Sequence, residues 1–262
     1  RQAVNLMIQA GRWPREVCDV ARMFAALAGY DPADPVSVDH PLENFLPTLG
    51  DGIKGKRIGI ARNFHFQRLH SEVEQAVLDS IRVFERLGAE VCEIDLPGAE
   101  LAQDWNVVQI YGDICAQFGE RLKNEPETIS PRVRDRMMLG LKFSAVDYAE
   151  AMRGKEIWQR TLKSTFAEQV DMILAPTVPM PPAAITGEEN LHEVTRDAAR
   201  FTYGSALSSH PGLSIPCGFT SDKLPIGLML EAAWFNEPLL FRAGVAYQGE
   251  TDWHLRRPPM VA

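Results

Sequence analysis

Arg57-Ile58-Gly59-Ile60-Ala61, residues 71–87 and Ala89-Glu90-Val91-Cys92-Glu93-Ile94 together decide the fold class. The first run is short and apolar, as a buried strand is. Residues 71–87 set Val73, Ala76, Val77, Ile81, Phe84 and Leu87 at helical spacing. Ser71 and Glu74 stand as a capping box, and Gly88 as the stop. The third run is the return strand. Strand, helix and strand within about forty residues predict a right-handed crossover between two parallel strands.

Working outward, a helix is expected from Glu16, with Val17, Val20, Ala21, Phe24, Leu27 and Ala28 on one face and Gly29 ending it. Residues 31–52 are rich in Pro and Asp and read as a long surface connection. Beyond the crossover, helices are expected over 99–123, 130–141 and 144–169, the last opened by Ser144 and Asp147. Met172-Ile173-Leu174-Ala175 is a buried strand closed by Pro176. A Pro-rich loop over 176–187 leads to a helix near 192–207. Strands at Leu213-Ser214-Ile215 and Gly227-Leu228-Met229-Leu230 are joined across Ser221-Asp222-Lys223, and a last helix runs from Asn236 to near Tyr247. The predicted class is α/β, a mixed β-sheet flanked by helices on both faces.

The balance of 27 Lys and Arg against 35 Asp and Glu gives a formal charge of -8, the wrong sign for tracking phosphates, so direct nucleic-acid binding is not expected. No apolar run approaches a membrane span. The 4 cysteines, at 18, 92, 115 and 217, form neither a disulfide framework nor a zinc motif and read as small buried residues. A cytoplasmic location follows from reduced cysteines. The histidines show no metal-ligand spacing, and no cofactor or metal is expected.

Among candidates for chemistry, Gly59 stands without the further glycines of a dinucleotide or phosphate loop. The stretch Thr202-Tyr203-Gly204-Ser205-Ala206-Leu207-Ser208-Ser209-His210-Pro211 is richer. A serine nucleophile needs a base and an oxyanion hole. Neighbouring side chains point apart, however, so a helix end built of small residues is the favoured reading. Glu188, Glu189, Asp31 and Asp34 read as solvated loop residues. Arg196, Asp197 and Arg200 read as a solvated helix face.

Three segments, taken together and in order, resemble the C-terminal half of the amidase signature family. Residues 15–35 begin R-E-V-C-D-V-A and end A-G-Y-D-P-A-D-P. Residues 171–179 read D-M-I-L-A-P-T-V-P, and residues 210–230 run from H-P-G-L-S-I-P-C-G to L-P-I-G-L-M-L. Asp252-Trp253-His254 before Pro258 is similar to the family's tail. The resemblance implies the C-terminal portion of the amidase signature fold. The implied activity is hydrolysis of amide carbon–nitrogen bonds through a serine acyl-enzyme made by a Lys–Ser–Ser triad.

The Gly/Ser-rich region that carries that triad in the family is not found in these residues, so no catalytic residue is assigned and the chain is expected to be inactive alone. Residues 1–14 depart from the family and are expected to be foreign to the fold, with 15–262 forming a single α/β domain. Ala206 and Ser209 replace residues more usual in the family, Ser209 standing where Gly is common. By resemblance, Thr177, Pro179, Thr202, Ser205, Ser209 and Pro211 line the acyl pocket; loop packing explains them equally well. The implied ligand is a small-molecule amide. Implied partners are a second copy of the chain, a chain carrying the catalytic half, or a tRNA-dependent amidotransferase assembly in which this chain stands in the amidase-like position.

Overall fold

The computed structural model describes residues 15–34, 36–41, 43–184 and 196–257. Residues 1–14, together with Glu188, Glu189 and the start of the helix expected near 192, lie outside that set. The described residues fall into two compact units. One, the sheet unit, holds the described part of Gly11–Asp95 with Ser164–Pro182 and His210–Ala262. The other, the helical unit, holds Leu96–Lys163 and the described part of Ala183–Ser209.

In the sheet unit the expected strand, helix and parallel return strand form. Strand β1 (Arg57–Ile60) pairs in parallel with β2 (Glu90–Glu93), with Ile58 opposite Val91 and Gly59 opposite Cys92. Strand β3 (Met172–Pro176) joins the other side of β1 in parallel. Strands β4 (Gly212–Phe219) and β5 (Pro225–Ala232) form an antiparallel hairpin, and β5 lies against β3. The order β2-β1-β3-β5-β4 is therefore a five-stranded mixed sheet. Every residue of β3 is buried, as a central strand covered on both faces must be.

One face of the sheet carries helices α1 (Val17–Leu27), α3 (Ser71–Arg86) and α8 (Glu237–Glu250), preceded in the case of α3 by a single turn, α2 (Arg62–His65). Val17, Ala21, Val77, Phe84, Leu240 and Tyr247 pack there on Ile58, Leu174, Ile215 and Leu228 in one apolar core. Fully burying side chains of this size stabilises a fold by about 1.5–3 kcal/mol each before the entropy of ordering them is subtracted. Ser80 Oγ and Tyr247 OH hydrogen-bond within that core at 2.9 Å, so neither hydroxyl is stranded.

The capping box expected at Ser71 does not form. His70 is the N-cap instead, its Nδ1 accepting from Glu72 N. Glu72 Oε1 is turned to Ser221 N at 2.6 Å, and so ties α3 to the β4–β5 turn. The four cysteines also differ from expectation: only Cys217 is buried, and Cys92 is exposed on the edge strand β2. A strand of four residues at a sheet edge covers its outward side chains poorly, which spacing alone does not reveal.

The helical unit is built on α4 (Ala99–Asn124), α5 (Pro131–Met137), α6 (Ala145–Ser164) and α7 (Thr202–Ser208). Here the sequence signal at Ser144 holds: Asp147 Oδ2 accepts from Ser144 N at 2.7 Å, and Asp147 N donates to Ser144 Oγ. Hydrogen bonds from the Ser144 backbone and side chain hold the Asp147 carboxyl below its ordinary pKa. The final stretch expected as α-helix, Thr165–Gln169, widens into a π-turn.

Candidate functional site

The strongest candidate is a hydroxyl pair at the C-terminal end of β3. Thr177 follows that strand and donates its N–H to Gly227 O at 2.9 Å, extending the β3–β5 ladder by one rung. Its Oγ1 lies 2.7 Å from Ser214 Oγ on β4. Gly227, on the strand between them, makes this meeting possible. A Cβ built there would stand 2.9 Å from Thr177 Oγ1 and 3.3 Å from Ser214 Oγ. One hydroxyl must donate to the other, which leaves one O–H free to donate and lone pairs free to accept. Ser214 is exposed and Thr177 half-buried, so the pair can hold a polar group.

Pro179 lies buried in the loop beyond, and its carbonyl accepts from His70 N at 2.9 Å, which pins the loop to the start of α3. Pro211 leads into β4, its carbonyl accepting from Ala232 N. Of the six pocket residues suggested by resemblance, these two and Thr177 belong to the sheet unit. Ser214 and Gly227 are the members that sequence reading missed. The Gly in the middle of a strand was the available signal, since such a position often marks a close approach.

The other three, Thr202, Ser205 and Ser209, belong to the helical unit. Thr202 Oγ1 donates to Ala199 O, and Ser208 Oγ donates to Ser205 O, so both hydroxyls serve the backbone. Trp158 Nε1 donates to Gly204 O at 2.9 Å and Gln159 Nε2 to Ser208 O, which holds α7 against α6. Ser209 ends α7 with φ 61° and ψ 23°, the left-handed region. The conformation, more than crowding, is what a Gly would serve at that position.

Ser209 and His210, adjacent in sequence, belong to different units. In the sheet unit His210 is buried, stacked on Trp234 at 4.6 Å and tilted against Phe166. Burial pulls its imidazole down to about 4. The reading of Arg196, Asp197 and Arg200 as one solvated face also needs correction. Arg196 pairs with Asp104 at 2.6 Å, whereas Arg200 is buried and its guanidinium lies 4.5 Å over the Phe201 ring. A planar, weakly hydrated guanidinium can stack this way where an isolated point charge would be penalised.

Two further groups in the helical unit carry no signal in the sequence. Tyr148 OH donates to Asp113 Oδ1 at 2.7 Å, and burial followed by that bond pushes the phenol up to about 12. Lys155 is only 8% exposed, and its burial pulls the ammonium down while Asp113 acts the other way. Among the described residues no three His, Cys, Asp or Glu side chains gather as a metal site, and no helix is long and apolar enough to cross a membrane.

The sequence matches the model of the family described as Amidase over residues 3–241. A Pseudomonas putida protein named amidase is 35% identical over 254 residues, covering 94% of this chain and 54% of its own length. A glutamyl-tRNA(Gln) amidotransferase subunit from Geobacter sp. is 31% identical, covering 96% of this chain and 57% of its own. A solved structure described as a vestigial protein complex, revealing the origins of an s-triazine catabolic enzyme, superposes with a TM-score of 0.81 at 24% identity. It covers 94% of this chain and 57% of that one. The chain thus spans about half the length of the curated relatives it matches. With the family model covering most of the residues and the mixed sheet recurring in solved relatives, this chain belongs to the amidase signature family.

Proposed function

We propose that residues 15–262 are the C-terminal region of an amidase signature enzyme that hydrolyses a carbon–nitrogen bond in a small-molecule amide. The match over residues 3–241, which begins inside the fourteen residues set apart above, carries the family part of this reading. In the proposed reaction a serine attacks the amide carbonyl, the amine leaves on taking a proton, and water then releases the acid from the acyl-enzyme. The Lys–Ser–Ser set that does this is assigned to residues outside these 262, whether on the same polypeptide or a companion chain. The 262 residues contribute substrate choice: Thr177, Pro179 and Pro211 from the sheet unit, and Thr202, Ser205 and Ser209 from the helical unit. No cofactor enters the scheme, and free thiols at Cys18, Cys92, Cys115 and Cys217 support a cytoplasmic setting.

A second reading is favoured by the amidotransferase relatives: the chain completes an amidotransferase assembly as a non-catalytic partner. A fluorophosphonate serine probe followed by intact-mass measurement separates the readings. The expected result is no adduct on the folded 29.2 kDa chain and one adduct on the chain or complex that contains the Gly/Ser-rich segment. An adduct on the 29.2 kDa chain itself would overturn the assignment. Co-purification with a second, probe-reactive protein would favour the assembly.

A further inference from the structure

The sheet unit also holds a groove away from the Thr177–Ser214 pair in sequence and built from different elements. It lies where the end of α1 and the connection after it meet the start of α8, an open groove of about 510 Å3. That volume is within the range of small-molecule sites, about 300–1,000 Å3. Its apolar walls come from Phe24, Ala28, Val38, Phe235 and Pro238. The polar groups are Glu43, Glu237, Ser37 and His40, and among the described residues no lysine or arginine lines it. Among the described residues neither Glu43 nor Glu237 has an ion-pair partner.

The walls are held in place. The His40 ring lies on Phe235 with centroids 4.0 Å apart and planes 21° from parallel. Phe235 keeps φ at +64°, a conformation a bulky side chain adopts only when its surroundings impose it. Glu237 is the first residue of α8 and half-buried. Burial pushes its carboxyl up, while its own backbone N–H and His40 act the other way. A ligand bearing positive charge would relieve that desolvation.

Two carboxylates, with the His40 imidazole as the one basic side chain in the lining and aromatic faces beside them, define the complement. A bare divalent cation would want six or more oxygen ligands, and the site offers too few. An anion would meet two like charges. An ammonium head on an apolar body satisfies both halves of the site: the charge meets Glu237 and Glu43, and the body meets Phe24, Phe235 and Val38. Aromatic faces add a cation–π attraction of about 0.5–2 kcal/mol.

We propose that this cavity binds an organic ammonium ion, a primary amine carried on an aromatic or branched alkyl body. The assignment rests on the cavity and its charge and stands whether or not the amidase reading holds.

The test titrates the 262-residue chain with phenethylammonium, phenethyl alcohol and phenylacetate, followed by amide chemical shifts and calorimetry. The ammonium should bind at least about tenfold more tightly than the alcohol, and phenylacetate should not bind. In the wild-type chain the shifts should centre on Ala28, Gly29, His40, Glu43 and Glu237. Glu237→Gln should weaken the ammonium about tenfold and leave the alcohol unchanged. Glu43→Gln serves as the second variant if the first misfolds. Equal affinity for amine and alcohol, shifts centred elsewhere, or no ammonium binding at about 10 mM would each overturn the proposal.

Discussion

Thr177 Oγ1, just past the end of β3, and Ser214 Oγ on β4 meet at 2.7 Å across the backbone of Gly227 on β5 between them. The arrangement requires a residue without a side chain in the middle. Gly227→Ala should drive the hydroxyls apart and cost about 1–3 kcal/mol, read as a lowered denaturant midpoint. Thr177→Val should lose about 1 kcal/mol without the steric term. In the complete enzyme proposed above, both variants should lower kcat/KM. An unchanged kcat/KM in Thr177→Val would remove the pair from substrate choice.

A contrasting pair of glycines tests the packing of the helical unit. A methyl at Gly154 on α6 would overlap the Trp105 ring of α4, whereas Gly119 on α4 has nothing within 4 Å of the same position. Gly154→Ala should therefore destabilise by about 1–3 kcal/mol. Gly119→Ala should stabilise by about 0.5–1 kcal/mol through helix propensity. Thermal unfolding of the two variants should move in opposite directions.

The buried imidazole of His210 makes a signed prediction for pH. Its folded value, about 4, lies below the ordinary histidine value, so between the two the unfolded chain binds the extra proton. Its contribution is fully present above about pH 6.5. It is lost as pH falls through about 4. The full swing is at most about 3 kcal/mol. Urea midpoints of the wild type and His210→Gln, compared at neutral pH and near pH 4.5, should show a shallower acid loss in the variant. Parallel profiles would mean that His210 is not the group responsible.

Ser209 holds a left-handed backbone at the end of α7, where a Cβ is strained. Ser209→Gly should raise stability by a few tenths to about 1 kcal/mol, because relief of that strain outweighs the added freedom of the unfolded chain. Differential scanning calorimetry reads this directly. A fall in Tm would show that the Ser209 side chain makes a contact worth more than the strain.

The scaffold could be read from the sequence where the signal is local. The β1–α3–β2 crossover, the all-buried β3 and the cap at Ser144 each follow from residues within a few turns of one another. The cap of α3 could not be read, because Ser71 and Glu74 compete with His70, and Glu72 is claimed by Ser221 far along the chain. The Thr177–Ser214 pair was half visible: resemblance named Thr177, but only the strand order brings Ser214 beside it. The Tyr148–Asp113 bond and the burial of Lys155 depend on how two helices face, which spacing along one helix leaves open.

The strand order also sets a timetable for assembly. Arg57 N donates to Asp171 Oδ2 across 114 residues, and this contact marks the seam where β3 joins β1. The crossover unit needs only neighbouring residues and can form as soon as it has been synthesised. The seam must wait until the whole of residues 94–171 has followed. Closing so long a loop costs little more at equilibrium than closing one half its length. It is nevertheless slow, because the entropy is spent before any strand contact repays it. During that interval a nascent chain presents the unpaired edge of β1, with its free backbone N–H and C=O groups, to any other strand it meets. Refolding yield should therefore be limited by collisions between chains at this seam, and should improve with dilution.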